Sequence, residues 1–396
     1  MKKLSFEDLE FENNKEGVRV IFLKNYYFDI TKEELEKISE YKINKNSIEF
    51  KEKNPEKRFN FLINKGFPNL KSITTNKKTI YLHQNLNIPL IGLSYIGLID
   101  RNTNLIEVKP NNGCNFNCVY CSIDEGISSK RQVDFVIEKD FLVQELKKLI
   151  EEKNNNEIEI YINPHGEPLL YEPLVELIKD IKKIKQVKRI GMSTNGLLLT
   201  KEKVDELTKA GLEKFNISLN SIDEKTAKIM AGRDYNNKHI INICKHIAKK
   251  AQLFIAPVWV PSYNDKEIPK IIELNKTLNG TMCIQNFLNY KFGRNPVKQK
   301  PFEKFFQEMK QLEKTHSTKL IVDADDFKVI KTEQLWKPFK KNSMIQADIL
   351  FQGRLKGEKV ATAKKRLISI PNCDKKGRVK LKIVKSKHNL FVGTIN

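Results

Sequence analysis

The chain has few cysteines and lacks any long apolar run. Six cysteines are spread over 396 residues, which excludes the dense disulfide framework of a small secreted domain. No apolar stretch approaches the roughly 18 residues that a membrane span requires. The opening residues Met1-Lys2-Lys3 are followed by further charges too soon for a signal peptide. We therefore expect a soluble, reduced, cytoplasmic protein with no membrane partner.

Acidic residues are in deficit. The chain carries 71 Lys and Arg against 49 Asp and Glu, a formal net charge of +22, while hydrophobic residues make up 40%. That hydrophobic fraction suffices for a sizeable core and argues against global disorder. The basic excess predicts a polyanionic partner, with nucleic acid ahead of an anionic membrane. The alternative is a lysine content inflated by an AT-rich genome.

Apolar patterning predicts alternating strands and helices from about residue 104 to residue 292. Such alternation indicates parallel strands joined by right-handed crossovers, and the active site of the resulting barrel lies where the strands end. The six predicted strands cover residues 105–108, 158–162, 187–193, 214–219, 253–260 and 282–287. The predicted fold class is α/β, a partial (β/α)6 barrel with a small N-terminal α+β region and a C-terminal small β-barrel.

The same patterns divide the chain into four regions. We expect an N-terminal α+β accessory domain over residues 1–95, the parallel barrel over 96–300 and a helical linker over 301–340. Five short strand-like runs, with turns between them, predict a small OB-like β-barrel over 341–396.

Three cysteines stand close together directly after the first predicted strand of the barrel. Cys114, Cys118 and Cys121 are spaced by four and three residues, so their thiolates can surround one small space. Thiolates are the ligands of iron–sulfur clusters, and three of them on a four-iron cluster leave one iron open for a chelating substrate. A zinc site would need a fourth ligand, and Glu125 and His165 are the nearest candidates, neither at a usual spacing. A redox pair of the last two cysteines leaves the first without a role.

This pattern, C-x3-C-x-aromatic-C after the first strand of a βα repeat, resembles the radical S-adenosylmethionine (SAM) superfamily over about residues 104–292. Residues 163–168 (Asn-Pro-His-Gly-Glu-Pro) match the family's GGE-type motif, with histidine in place of the first glycine. Residues 192–196 (Met-Ser-Thr-Asn-Gly) match its TNG ending. In the family the GGE-type backbone meets the amino group of SAM, and the segments matching 258–261 and 284–287 flank the adenine.

The resemblance implies two cofactors and a set of binding residues. A [4Fe–4S] cluster would lie on the three cysteines, with SAM on the open iron and an electron donor such as ferredoxin or flavodoxin. SAM would then yield methionine and a 5′-deoxyadenosyl radical, which removes a hydrogen from the substrate. The resemblance assigns SAM binding to Tyr120, Gly166, Glu167, Pro168, Ser193, Asn195, Ser218, Asn220 and Arg233. The alternatives are a solvated loop acid at Glu167 and a surface arginine at Arg233; no catalytic residue is identified.

Basic residues are concentrated at the end of the chain. Residues 341–396 hold 14 Lys and Arg against 3 Asp and Glu, half of the total charge excess in a seventh of the length. The ending 379–392 resembles a TRAM-type domain, a small β-barrel that delivers tRNA to modifying enzymes. The expected RNA-binding residues are Lys364, Lys365, Arg366, Arg378, Lys380, Lys382, Lys385 and Lys387. The alternative is a solvated basic cap over the barrel.

The first hypothesis is therefore a tRNA-modifying radical SAM enzyme, similar to archaeal radical SAM tRNA-modifying enzymes. Methylthiotransferases share this arrangement but carry a second three-cysteine cluster in an N-terminal domain, and no cysteine precedes Cys114 here. The alternatives are a radical SAM enzyme that acts on rRNA, on a protein or on a small molecule. A third hypothesis is a non-catalytic RNA-binding protein with a structural cluster.

Overall fold

The computed structural model describes residues 1–395. Its N-terminal region consists mainly of strands, in which apolar residues such as Val18, Val20 and Phe22 are buried in the core. Six strands form one sheet, in the order Val133–Ile137, Lys78–Leu82, Lys71–Ser72, Tyr26–Thr31, Gly17–Phe22 and Leu9–Asn13. A second sheet holds Lys2–Ser5, Ser47–Phe50 and Tyr41–Asn44.

Two helices, Lys32–Glu36 and Glu56–Gly66, pack against these strands. The first begins with a capping box. The Thr31 hydroxyl accepts a hydrogen bond from the Glu34 N–H at 3.3 Å, and the Glu34 carboxylate accepts one from the Thr31 N–H at 3.2 Å. Local sequence alone therefore sets where this helix starts.

The apolar pattern does not reveal the strand Val133–Ile137. All five of its residues are buried, so it lacks the alternation that marks a half-exposed strand. It pairs in parallel with Lys78–Leu82, although it follows the cysteine motif in the chain. The N-terminal sheet thus includes a strand that comes directly after the cysteine loop.

A seven-stranded sheet forms the parallel barrel. Its order is Thr281–Met282, Gln252–Ile255, Lys214–Ile217, Val187–Thr194, Ile158–Ile162, Leu105–Lys109 and the antiparallel edge strand Gly97–Asp100. The helices between the parallel strands are Lys139–Lys153, Leu174–Lys182, Lys201–Ala210, Glu224–Ala231, Asn237–Ile247 and Glu267–Leu278. The predicted α/β partial barrel with six parallel strands is confirmed.

The fifth parallel strand ends earlier than predicted. The segment 253–260 is divided into Gln252–Ile255 and Val258–Trp259, because Pro257 has no N–H for the strand ladder. The sixth strand is also divided, into Thr281–Met282 and Gln285–Asn286, and this outer piece pairs in parallel with Val258–Trp259. These outer pieces extend the barrel wall beyond the carboxyl ends of the main strands.

The C-terminal region is a closed five-stranded β-barrel, as predicted. Its strand order is Met344–Gln352, Lys359–Ala363, Arg366–Ile370, Val392–Thr394 and Arg378–Lys385. Leu381 and Ile383 alternate with Lys380 and Lys382, so the apolar residues fill the barrel and the lysines lie outside. Cys373, for which the basic turn suggests exposure, is instead buried in this core.

The helix Phe302–His316 follows the parallel barrel and packs against Glu267–Leu278. An irregular segment then leads to the C-terminal barrel. Within residues 1–395, every helix is too short or too polar to cross a membrane.

Candidate iron–sulfur and SAM site

The three cysteines lie in the loop that follows the strand Leu105–Lys109. Cys114, Cys118 and Cys121 all line one cavity of about 300 Å³ near the carboxyl ends of the parallel strands. Burial raises the pKa of each thiol, that of Cys118 to about 12. The Cys121 sulfur accepts a hydrogen bond from the Glu125 N–H at 3.3 Å. A bound metal centre would favour the thiolate form of these sulfurs against the effect of burial.

Gly166 brings the second motif against the cysteine loop. It has a φ of +146°, and a Cβ at this position would lie 2.0 Å from the Gly113 carbonyl oxygen. The two glycines pair as a parallel bridge, and the Glu167 N–H donates to the Gly113 carbonyl at 2.9 Å. Because only glycine fits there, the backbone of the motif itself forms part of the cavity wall.

Glu167 is buried and braces two loops. Its carboxylate accepts hydrogen bonds from the Thr194 hydroxyl at 2.5 Å, from the Asn195 N–H at 2.9 Å and from the Leu169 N–H at 3.2 Å. Burial nevertheless raises the pKa of Glu167 to about 7. The side chain connects the loop after the second parallel strand to the end of the third, so it is not a solvated loop acid.

Small polar side chains complete this cavity wall. Ser193 and Ser218 line the cavity, and the Ser193 hydroxyl shares a hydrogen bond of 2.5 Å with the Tyr161 hydroxyl. The Asn195 side-chain amide donates to Asn115 Oδ1 at 2.7 Å. The sequence-predicted residues on the wall are therefore the three cysteines, Tyr120, Gly166, Glu167, Ser193, Asn195 and Ser218.

Among residues 1–395, three of the predicted SAM residues, Pro168, Asn220 and Arg233, do not line this cavity. Asn220 donates to the Tyr120 hydroxyl at 2.5 Å and accepts from a backbone N–H of the fifth strand at 2.8 Å, so it supports that tyrosine. Pro168 begins the short turn Pro168–Leu170. The Arg233 guanidinium donates to the carbonyl of Asn115 in the cysteine loop. Asn220 thus supports a residue of the wall, and Arg233, although exposed, contacts the cysteine loop, whereas Pro168 starts a turn.

Arg294 is a site residue that the motifs do not reveal. Its guanidinium binds Asp124 Oδ1 at 2.8 Å, the Cys118 carbonyl at 3.0 Å and the Glu125 carbonyl at 2.7 Å. One side chain therefore holds the backbone of the cysteine loop at several points. Its positive charge also lowers the pKa of Cys118 and Cys121 against the larger effect of burial.

Arg354 belongs to the C-terminal barrel, and its side chain contacts the cysteine loop. Its side chain is 2% exposed and forms ion pairs with Glu125 and with Asp134, the latter at 2.9 Å. Its Nε donates to the Val133 carbonyl at 3.1 Å. Glu125 belongs to the cysteine loop and Asp134 to the N-terminal sheet, so Arg354 joins three regions of the fold. Glu125, the candidate zinc ligand, is occupied by this pair.

Most basic residues expected to bind RNA lie on the surface of the C-terminal barrel. The exposed or half-exposed ones are Lys364, Lys365, Arg378, Lys380, Lys382, Lys385 and Lys387. Arg378 is paired with Asp348 at 2.8 Å. Arg366 departs from the expected set, because it is 4% exposed and donates inward to the Trp336 carbonyl at 2.7 Å. It packs where a phosphate cannot reach it.

Comparison with known proteins gives two kinds of sequence match. Residues 108–274 match the radical SAM superfamily. Uncharacterized protein MJ0103 of Methanocaldococcus jannaschii is 37% identical over 361 residues, 83% of each chain. GTP 3′,8-cyclase of Clostridium botulinum is 32% identical over 182 residues, 44% of this chain and 54% of the cyclase. The chain thus spans most of the first relative and about half of the second.

Solved structures show weaker likeness. A structure of TYW1 with a lysine-pyruvate adduct has a TM-score of 0.42 and 21% identity, and it covers 58% of this chain and 80% of the TYW1 chain. Streptococcus suis SuiB has a TM-score of 0.43 and 14% identity, with 80% of this chain and 70% of SuiB covered.

A parallel α/β barrel with three thiols in the loop after its first strand defines a class of iron–sulfur enzymes built on such barrels. The chain belongs to the radical SAM superfamily. Membership in this family implies a [4Fe–4S] cluster and SAM.

The donor set fits such a cluster. The three thiols surround a space rather than a point, and no three His, Cys, Asp or Glu side chains within residues 1–395 are close enough to hold a single metal ion. Backbone N–H groups point at two of the sulfurs, at 3.4 Å for Cys114 and 3.3 Å for Cys121. Such N–H donors stabilise negative charge on cluster ligands and tune their potential.

Proposed function

We propose that this radical SAM enzyme modifies a nucleoside in tRNA. The observation that carries the proposal is the closed C-terminal barrel, which holds 14 Lys and Arg against 3 Asp and Glu and reaches the cysteine loop through Arg354. Lysines on the outer face of a small barrel suit a phosphate backbone. A polyanionic substrate bound there would lie beside the cavity that holds the thiols.

In this proposal Cys114, Cys118 and Cys121 would hold the cluster, and the rest of the cavity would hold SAM. The chemistry that the bound cofactors supply is one-electron cleavage of SAM to methionine and a 5′-deoxyadenosyl radical. The backbone of Gly166 and the hydroxyl of Ser218 offer hydrogen-bonding groups to SAM on the cavity wall. Enzymes of this family need a reductant, for which we propose a ferredoxin or a flavodoxin.

The side chains around the cavity orient and shield the reaction. Phe116, Val258 and Phe287 supply apolar wall that excludes water. Tyr120 is held by Asn220, so its ring keeps one position on the wall between two cluster cysteines. These groups would position the bound substrate and keep water away from it.

A free purine nucleotide is the second candidate substrate. It is favoured by the 32% identity to GTP 3′,8-cyclase over 182 residues. That match covers 44% of this chain, whereas the basic C-terminal barrel favours a polymer.

Nucleoside mass spectrometry of bulk tRNA, from the source organism with and without this gene, tests the proposal. We expect the loss of one modified nucleoside, whose mass identifies the product. Anaerobic SAM cleavage by the purified holoenzyme is the control for activity. An unchanged tRNA profile from a gene whose product still cleaves SAM would refute the tRNA assignment and favour rRNA, then a protein or a nucleotide.

A further inference from the structure

A second cavity, of about 320 Å³, lies where the C-terminal barrel meets the parallel barrel. One short segment separates it from the thiol-lined cavity. Within that segment Asn163, Pro164 and Gly166 line the thiol-lined cavity, whereas His165 lines the second one. The two cavities therefore share a wall, and the histidine that replaces the first glycine of the GGE-type motif faces the C-terminal barrel.

The loop around residues 288–293 forms another part of the wall between the two cavities, and it carries two exposed aromatic rings. Tyr290 lines the thiol-lined cavity and is 48% exposed, whereas Phe292 lines the second cavity and is 53% exposed. Rings this exposed on a site rim are available to a ligand. We call these two residues the aromatic rim.

The aromatic rim is fixed relative to the cluster cysteines. A Cβ on Gly293 would lie 2.7 Å from the Ser122 carbonyl oxygen, so the loop packs directly on the cysteine loop. The Arg294 N–H donates to the Cys121 carbonyl at 2.9 Å. The Asn295 amide bonds the Tyr290 backbone at both ends, accepting at 3.2 Å and donating at 2.9 Å. Anything stacked on the rim is therefore held at a set distance from the thiols.

Besides Arg354, which is paired with two carboxylates, the second cavity is lined by two further cations, Arg131 and Lys385. Arg131 donates its hydrogen bonds to backbone carbonyls, including that of Phe292 at 3.2 Å. Its guanidinium also lies 6.0 Å from the centroid of the Phe292 ring. Among residues 1–395, neither Arg131 nor the exposed Lys385 forms an ion pair. The acidic lining residue Glu358 accepts hydrogen bonds from the Leu355 N–H at 2.9 Å and from the Ser369 hydroxyl. Its carboxylate is therefore engaged by donors of the C-terminal barrel.

His165 adds an uncharged polar group to this wall. Burial, and then the nearby cations Lys109 and Arg354, hold the pKa of His165 well below its usual value. A neutral imidazole has one donor and one acceptor nitrogen, and neither has a hydrogen-bond partner within residues 1–395. The neutral imidazole can therefore form hydrogen bonds with a polar ligand, and it does not repel the cations beside it.

We propose that the aromatic rim and the second cavity form a subsite for one nucleotide of an RNA that is presented by the C-terminal barrel. Its unstacked base lies against Tyr290 and Phe292, and its phosphate contacts Arg131 and Lys385. The subsite rests on the proposed function and specifies how the RNA enters the same active site. Bases turned out of a stack are held by aromatic faces, and phosphates by basic side chains. An acidic peptide would use the cations but leaves the rings without a planar partner.

The test uses the anaerobic holoenzyme and bulk tRNA from a strain that lacks the gene. Phe292→Ala is expected to lower kcat/KM for tRNA about tenfold, within the range of one lost base–aromatic stack. Lys385→Met is expected to reduce the slope of log K against log salt by about one. Two matched controls remove an exposed ring and an exposed lysine elsewhere. Phe61→Ala, in the N-terminal region where the ring is 67% exposed, should keep the wild-type kcat/KM, and Lys249→Met should keep the wild-type salt slope. Iron content establishes that each variant carries its cluster.

Failure of the subsite is distinguishable from failure of the proposed function. If the wild-type enzyme modifies tRNA and both variants stay within twofold of the matched controls, the subsite is wrong and the tRNA assignment stands. If the wild-type enzyme cleaves SAM but neither binds nor modifies tRNA, both fail. Competition by polyglutamate, and not by single-stranded oligouridylate, would also overturn the nucleotide subsite. Competition by oligouridylate that weakens in Phe292→Ala supports it.

Discussion

Replacing Arg354 with methionine removes the cation that is buried against Glu125 and Asp134. The arginine is 2% exposed, and the two carboxylates are 2% and 1% exposed. Asp134 keeps a hydrogen bond of 2.8 Å from the Thr75 hydroxyl, but Glu125 loses its side-chain partner. Removing one member of a buried ion pair leaves an uncompensated charge and costs about 3–5 kcal/mol. That loss is a large share of the roughly 5–15 kcal/mol by which domains are stable.

Arg378→Met is the matched control on the same barrel. Arg378 also pairs with an aspartate, Asp348, but the two side chains are 69% and 50% exposed. Exposed pairs contribute about 0–1 kcal/mol. The two arginine variants remove the same charge from the same barrel, so the difference between them measures burial.

Urea unfolding, followed by far-ultraviolet circular dichroism under anaerobic conditions, measures both losses. We expect Arg354→Met to lower the free energy of unfolding by at least about 2 kcal/mol more than Arg378→Met, with an unchanged m-value. The triple variant Arg354→Met, Glu125→Gln, Asp134→Asn should recover part of the loss because none of these three positions then carries a charge. Equal losses in the two single variants would refute the argument. So would a triple variant that is less stable than Arg354→Met.

Three further predictions follow from the site. Cys114→Ser should reduce bound iron from about four per chain to below one, whereas Cys373→Ala, in the core of the small barrel, should keep it; iron analysis and visible absorbance decide. Burial raises the pKa of Glu167 to about 7 from 4.5, so the native state retains a proton that the unfolded chain loses, and stability should fall as pH rises from about 4.5 to about 7. Glu167→Gln should flatten that fall in urea midpoints, and an identical pH profile would contradict the assignment. Gly166→Ala must place a Cβ 2.0 Å from a backbone oxygen at a φ of +146°, so it should abolish cluster loading. Gly377→Ala, at a φ of +70° with open space around it, should lower the free energy of unfolding by only about 1 kcal/mol and keep the cluster. Equal iron content in the two variants would show that the close approach at Gly166 is not required.

The local parts of the fold were predictable from the sequence. Thr31 and Glu34 mark a capping box, Thr200 and Gly211 mark both ends of the helix Lys201–Ala210, and each is present in the structure. The cysteine spacing predicted the loop that lines the cavity. Each of these signals lies within a few residues, where turn chemistry and apolar period determine structure.

The long-range parts were not predictable. Arg294 and Arg354 bind residues of the cysteine loop that are far away in the chain, at separations of 170 and 229 residues. The sequence around an arginine beside a turn does not reveal its partner, because the same local sequence is compatible with an exposed arginine and with one in a buried ion pair. The buried strand Val133–Ile137 likewise lacks a period, and its partner strand precedes the cysteine motif.

These long-range contacts change how the C-terminal barrel should be tested. Arg354 joins that barrel to the loop that carries Cys121, and Arg294 binds the backbone of the same loop. Deleting the barrel would remove the cation that pairs with Glu125 and Asp134, so the cysteine loop would lose a support even if no RNA ever bound. Loss of activity on truncation therefore cannot separate an RNA-delivery role from a structural one. Substitutions at outward lysines such as Lys380 change the charge that RNA would meet while the buried ion pairs stay intact, so RNA affinity should be judged from them.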